Sequence, residues 1–298
     1  MAPVVPIVLL AAALHAGWNA LVKAVADRLT LMAMMGVATA AIALPVALLV
    51  SPPRSVAWPE IAGSLLLHTI YNLMLVASYG VGDYNLVYPV ARGTAPPVVA
   101  IASVIVVGER LTGLQVAGLL VLSGGLLTLA VTRRHGSLRA LALSVTTGIL
   151  IAAYTVTDGV GVRHAGSVMG YAAWLFTGSG VLTALAPHLV TRLARRAPAA
   201  RLAERAHAIA APSIVEVLRT APGLAARAAV AAGLLLIAYV LVLWAQTRGE
   251  LAVVAALRET SVVFAALVGA FVFREHLPSR RVIASALVAA GAAALALG

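Results

Sequence analysis

The sequence predicts an all-α membrane protein, with ten transmembrane helices arranged as two inverted five-helix repeats. Three observations carry that expectation. The chain is 62% hydrophobic and only 10% charged over 298 residues. That is more apolar surface than a single soluble core can hide, and lipid is the solvent that removes the conflict. Ten apolar segments of roughly 20 residues, the length that crosses a bilayer, follow one another along the chain. Finally, Arg92-Gly93-Thr94 followed by Glu109-Arg110-Leu111 recurs 166 residues later as Arg258-Glu259-Thr260 followed by Glu275-His276-Leu277. An internal repeat in an apolar chain is the mark of a duplicated membrane carrier.

The segments lie near residues 4–24, 30–50, 60–80, 84–107, 113–131, 138–158, 168–190, 224–247, 251–273 and 279–297. Breakers separate them: Ser51-Pro52-Pro53, Gly82-Asp83, Arg133-Arg134-His135-Gly136, Arg248-Gly249 and Leu277-Pro278-Ser279. The first span lacks the basic flank of a signal peptide and is expected to stay in place. The repeat matches spans 4–5 with spans 9–10, so the chain divides into residues 1–132 and 133–298. An odd number of spans per half makes the second half enter the membrane from the opposite side. The segment 191–223 carries Arg192, Arg195, Arg196, Arg201, Arg205 and Arg219 with Glu204 and Glu216. It reads as a solvated basic linker or as a surface-lying amphipathic helix. The odd-numbered loops hold most of the arginines, which places them in the cytoplasm and both termini outside.

Several functions are disfavoured by what the chain lacks. It has no cysteine, hence no disulfide, thiol chemistry or Cys-ligated metal. The net charge of +11 sits in loops between apolar spans, so it does not form a nucleic-acid face. No GxxxxGK[ST] loop is present for direct ATP drive. No HExxH motif or close pair of aspartates suggests an intramembrane enzyme, and no filter-like element or ring of charges suggests a channel. No cofactor or metal is expected.

The candidate site is read from polar residues inside apolar spans. Arg92 and Arg258 hold matched repeat positions. An arginine in hydrocarbon costs about 2.5–3.5 kcal/mol on insertion scales, so it faces water, a counter-ion or a ligand. Guanidinium forks suit carboxylate or phosphate. Glu259 is the only carboxylate well inside a span, and it reads as a proton-coupling group or as a counter-ion to either arginine. It is poorly placed for the adjacent Arg258, because neighbouring helical residues point about 100° apart. Span 4 puts Asn85, Tyr88 and Arg92 on one face, and Pro89, Pro96 and Pro97 loosen that helix. Span 3 puts His68, Asn72 and Tyr79 on one face with Tyr71 beside it. Span 1 offers His15, Trp18 and Asn19, and span 6 offers Tyr154 and Asp158. The substrate-binding set is therefore Arg92, Arg258, Tyr88, Asn85, Trp18, Asn19, His15, Asn72, Tyr71 and Tyr154. The coupling set is Glu259, His68 and Asp158. Glu109 and Glu275, at the junctions after spans 4 and 9, suit a structural job such as bonding a neighbouring helix end. Spans 5 and 10 carry small residues at four-residue spacing (Gly113 and Ala117; Ser285 and Ala289; Ala286 and Ala290), which suits close helix packing or a dimer contact.

At these residues the chain resembles the drug/metabolite transporter superfamily, in its ten-span EamA-type branch. The resemblance rests on His15-Ala16-Gly17-Trp18-Asn19-Ala20, on Pro96, and on Gly108-Glu109-Arg110-Leu111-Thr112 leading into Gln115-Val116-Ala117-Gly118. The second copy of the junction, Phe273-Arg274-Glu275-His276-Leu277-Pro278, and the stretch Tyr154-Thr155-Val156-Thr157-Asp158-Gly159 add to it. The long basic loop before span 8 departs from the compact family pattern. The resemblance implies a secondary active exporter in a bacterial inner membrane, working by alternating access as a monomer or homodimer. With two arginines and one glutamate at the centre, the expected cargo is a small anionic or zwitterionic metabolite, amino-acid-like or phosphonate-like, with protons as a possible coupling ion. The alternatives are export of neutral or cationic drug-like compounds and a channel-like protein.

Overall fold

The computed structural model describes residues 3–25, 27–81, 84–130, 137–196, 217, 219–276 and 278–298. Most of the basic segment 191–223 lies outside the described residues. Among the described residues the fold is helical throughout, with no strand. This is the outcome expected where the solvent offers no hydrogen bonds, because a helix satisfies its backbone within one segment.

The helices are α1 (Val4–Lys23), α2 (Arg28–Leu49), α3 (Trp58–Val81), α4 (Tyr84–Ala102), α5 (Gly113–Thr128), α6 (Leu138–Ala165), α7 (Val168–Arg196), α8 (Pro222–Gln246), α9 (Leu251–Arg258), α10 (Ser261–Phe271) and α11 (Ser279–Leu297). A 3₁₀ turn, Ser55–Ala57, leads into α3, and a π turn, Ser103–Val107, ends α4. Among the described residues, eight segments are long and apolar enough to cross a membrane, Leu251–Phe271 counted as one. The α3 helix is 24 residues long, and α5 is apolar but only 16 residues long.

Helix starts are fixed by side chains that accept the first free N–H groups. Asp27 accepts from the Thr30 amide at 3.0 Å, and Ser137 from the Ala140 amide at 3.1 Å. Thr112 and Gln115 form a reciprocal capping box at the start of α5, at 3.1 and 2.8 Å.

The prolines of α4 do not unwind it. Pro89, Pro96 and Pro97 all lie inside a continuous helix. The interruption falls in the matching span instead, where α9 ends at Arg258 and α10 begins at Ser261. Each proline removes a single donor, which neighbouring helices tolerate. At Glu259 and Thr260 the amides bond three residues back, to Ala256 (2.9 Å) and Leu257 (3.1 Å), and the helix changes pitch there.

Packing is organised around a few helix pairs: α2 on α7, α5 on α11, α6 against both α3 and α4, α1 against α8, α9 and α10, and α4 against α9. Two of these pairs rest on backbone approach. A Cβ at Gly36 would stand 2.6 Å from the Ala184 nitrogen, and one at Gly180 2.6 Å from the Ala40 nitrogen. A Cβ at Gly118 would stand 2.8 Å from the Gly291 carbonyl oxygen. The expected packing role of α5 and α11 is met, but by other small residues. Gly118, Gly125, Ala284 and Gly291 are buried at the contact, whereas Gly113, Ala117, Ala286, Ala289 and Ala290 are exposed. The four-residue spacing is present on more than one face of each helix, and only tertiary packing selects among them.

Candidate functional site

The site forms where α4 meets the α9–α10 break. Every residue of α9 is buried, which forces its terminal Arg258 inward. Arg92 reaches the same place from α4. The exposures are 7% for Arg92, 6% for Arg258 and 1% for Glu259. Arg92 Nε lies 2.7 Å from Glu259 Oε2, a contact of charges not aligned as a hydrogen bond. Arg92 Nη2 donates to the Ser261 hydroxyl at 3.1 Å, and the guanidinium sits 5.8 Å from the Tyr88 ring centre. Glu259 is therefore the counter-ion of Arg92, across 167 residues of sequence.

Arg258 is arranged differently. Its Nε is buried and has no hydrogen-bond partner among the described residues. Its charged and aromatic neighbours are Tyr154, Arg92, Glu259 and Tyr239. At the 166-residue sequence offset the position matching Glu259 is Gly93, which brings no second carboxylate. Two guanidiniums thus share one carboxylate.

The other expected residues divide into those near this cluster and those tied elsewhere. His15 has both arginines as charge neighbours and accepts from Trp18 Nε1 at 3.3 Å. Trp18 itself packs with Leu31, Met34 and Leu21 between α1, α2 and α8. The Asn19 amide donates to the His15 carbonyl at 2.7 Å. Tyr154 is buried with Ala91, Ala95 and Ile151, and His68 stacks on it at 4.0 Å and 27°. Tyr71 meets Tyr154 edge-on at 5.6 Å. His68 Nδ1 is also 2.9 Å from the Ser64 carbonyl. Asn72 is exposed. The side chains of Asn85 and Tyr79 lie outside the described residues.

Asp158 is fully buried and accepts from two phenols, Tyr171 at 3.0 Å and Tyr239. That ties α6, α7 and α8 together and gives each carboxylate oxygen one phenol donor. Tyr171, Tyr239 and Ser261 were not singled out from sequence. Tyr239 is a polar residue inside an apolar span, the same signal that marked the others.

Glu109 does the end-bonding job expected of it. Its Oε1 accepts from the Leu251 amide at 2.7 Å, the first of α9, and from Arg163 Nη2 at 3.1 Å. Glu275 instead pairs with Lys23 at 2.5 Å and Arg281 at 3.4 Å. The Lys23 hydrogen bond holds the Glu275 carboxyl below the usual carboxylate range. Among the described residues no group of three His, Asp or Glu side chains could hold a metal. A shallow pocket of about 300 Å³ lies at the end of α6, lined by Arg163, Ser167 and Thr247, away from the arginine cluster.

The fold and its buried charges define a polytopic helical membrane protein. No family model matches the sequence, and no curated protein does. The chain is similar to a solved structure described only as "Crystal structure of protein", with a TM-score of 0.69 and 18% identity, covering 99% of this chain and 95% of that one. At that identity the likeness speaks for the fold.

Proposed function

We propose that the chain is a ten-span secondary active transporter of the drug/metabolite transporter type, and that it moves a small anionic or zwitterionic metabolite by alternating access. The observation that carries the substrate class is a buried cluster in which two guanidiniums, Arg92 and Arg258, share one carboxylate, Glu259. A buried excess of one positive charge is costly, and a ligand carboxylate or phosphonate would balance it. Export and a bacterial inner membrane rest on the sequence resemblance alone. If Arg258 contributes nothing, the ring cluster of Tyr154, His68 and Tyr71 favours a neutral or cationic aromatic cargo instead.

The ten-span, two-repeat reading is supported by the packing. Counting α9 and α10 as one span, exchange of spans 1–5 with 6–10 maps α2·α7 and α5·α11 onto themselves. It maps α3·α6 onto α8·α1, and α4·α6 onto the contacts of α9 and α10 with α1. The offset of 166 residues carries the Gly118–Gly291 approach onto that of Ala284 and Gly125, where a Cβ on Gly125 would stand 3.2 Å from the Ala284 oxygen. Shared offsets of this kind fit a two-fold axis in the membrane plane.

The test uses protein reconstituted in sealed vesicles and a panel of carboxylates, phosphonates and amino acids, first screened by thermal shift. Saturable uptake with counterflow is expected. Arg258→Lys keeps the charge and loses the planar fork, so ligand affinity should fall. Arg258→Ala should weaken it by about 2–5 kcal/mol. Equal calorimetric affinity in parent, Arg258→Lys and Arg258→Ala would remove the anionic reading.

A further inference from the structure

Two histidines at the centre are set in opposite tautomers by their partners. The Trp18 indole N–H can only donate, and it meets His15 Nδ1 at 3.3 Å. His15 Nδ1 therefore accepts, and in the neutral ring the proton sits on Nε2. The Ser64 carbonyl can only accept, and it meets His68 Nδ1 at 2.9 Å. His68 Nδ1 therefore carries the proton, and in the neutral ring Nε2 keeps a lone pair. One histidine thus offers a donor at Nε2 and the other an acceptor. Both residues are only half-buried.

Charge is divided in the same way. The charge neighbours of His15 are Arg92 and Arg258. Asp158 accepts from Tyr171 and Tyr239, and it is a charge neighbour of His68. Arg258 is a charge neighbour of His68 as well, so that ring meets both signs. Tyr154 neighbours both arginines and stacks on His68 at 4.0 Å and 27°. Tyr239 lies 6.3 Å from the His68 ring centre, donates to Asp158 and neighbours Arg258. A phenol that donates to a carboxylate is polarised towards a more electron-rich ring, and the face of such a ring attracts cations. The rings of Tyr154, His68 and Tyr239 therefore join a cationic pole at Arg92 and Arg258 to an anionic pole at Asp158.

We infer that the site takes a zwitterion, its acid held by Arg258 and His15 Nε2 and its ammonium group by His68 Nε2 and the ring faces of Tyr154 and Tyr239. This assignment rests on the carrier reading above and narrows the cargo from anion or zwitterion to zwitterion. An ammonium group has three donors and no acceptor, so it suits the His68 lone pair and not the His15 N–H. A carboxylate or phosphonate has the converse needs. Asp158 acts from behind the rings. Each of its oxygens already holds a phenol, so it attracts the ammonium by charge without touching it.

The test runs the ligand panel as matched pairs that differ only in the amino group: phenylalanine with phenylpropionate, alanine with propionate, and aminomethylphosphonate with methylphosphonate. Calorimetry on the purified full chain should give the amino member of a binding pair about tenfold tighter affinity or more, as a charge-assisted hydrogen bond with a cation–π contact provides. His68→Phe keeps a ring against Tyr154 and removes the acceptor. It should cut that advantage to about threefold or less, what ring faces alone supply, and leave the acid without an amino group bound as before. His15→Phe should weaken both members alike and keep their ratio. A packing role for His68 would move both members together and leave the ratio alone. Asp158→Asn should also lower the ratio, and it serves if His68→Phe fails to fold. Equal affinities within every pair that binds overturn the inference and leave an anionic cargo standing. So does an unchanged ratio in folded His68→Phe, or in Asp158→Asn where it stands in. Phenethylamine binding as tightly as phenylalanine, or no saturable binding by any member, removes the acid pole and the anionic reading together. The expected ratios without counterflow in sealed vesicles remove the carrier reading alone.

Discussion

At the scale of the residue, the chemistry turns on how three buried charges are shared. Glu259 touches Arg92 at 2.7 Å and is also a charge neighbour of Arg258, so one carboxylate serves two guanidiniums. The cost of breaking such a pair falls on the charge left behind. Glu259→Gln should therefore destabilise the protein by about 3–5 kcal/mol, the usual cost of removing one partner of a buried pair, read as a lowered unfolding midpoint in detergent. Changing Arg92 and Glu259 together, to Met and Gln, should cost less than Glu259→Gln alone. A double variant no more stable than the single one would mean that the pair is not the reason Glu259 is there. The charges themselves stood out in the sequence, because ionisable groups are rare in apolar spans. Their pairing did not, since Arg92 and Glu259 are far apart along the chain and meet only when α4 packs on α9.

At the scale of the element, breaks and contacts fell where packing put them. Three prolines in α4 suggested unwinding there, yet α4 is continuous and the break lies between α9 and α10. Helix pairing by small residues was expected and occurs, on faces that periodicity could not choose. Gly118 and Gly291 let α5 and α11 approach until backbone meets backbone. Gly118→Leu should destabilise the fold by about 1–3 kcal/mol, as overpacking does, while Gly113→Leu, which faces open space, should be neutral. Equal unfolding midpoints for the two variants would show that the α5–α11 contact is not close-packed in the membrane.

At the scale of the molecule, each half is completed by the other. The α1 helix packs on α8, α9 and α10, and α6 packs on α3 and α4, so every half places its first helix against the opposite half. Residues 1–132 expressed alone should fail to give a protease-resistant membrane protein, and co-expression with residues 133–298 should restore one. A stable, resistant first half by itself would count against this interlocked arrangement. The sequence by itself determined the helical class, the long apolar spans and the identity of the buried charges, because composition, length and spacing are local properties that lipid reads directly. Only the tertiary structure decided which carboxylate contacts which arginine, where the transmembrane span breaks, and which small residues touch. Those outcomes depend on contacts between helices far apart in the chain, where several faces and partners are compatible with the same local pattern and packing selects one.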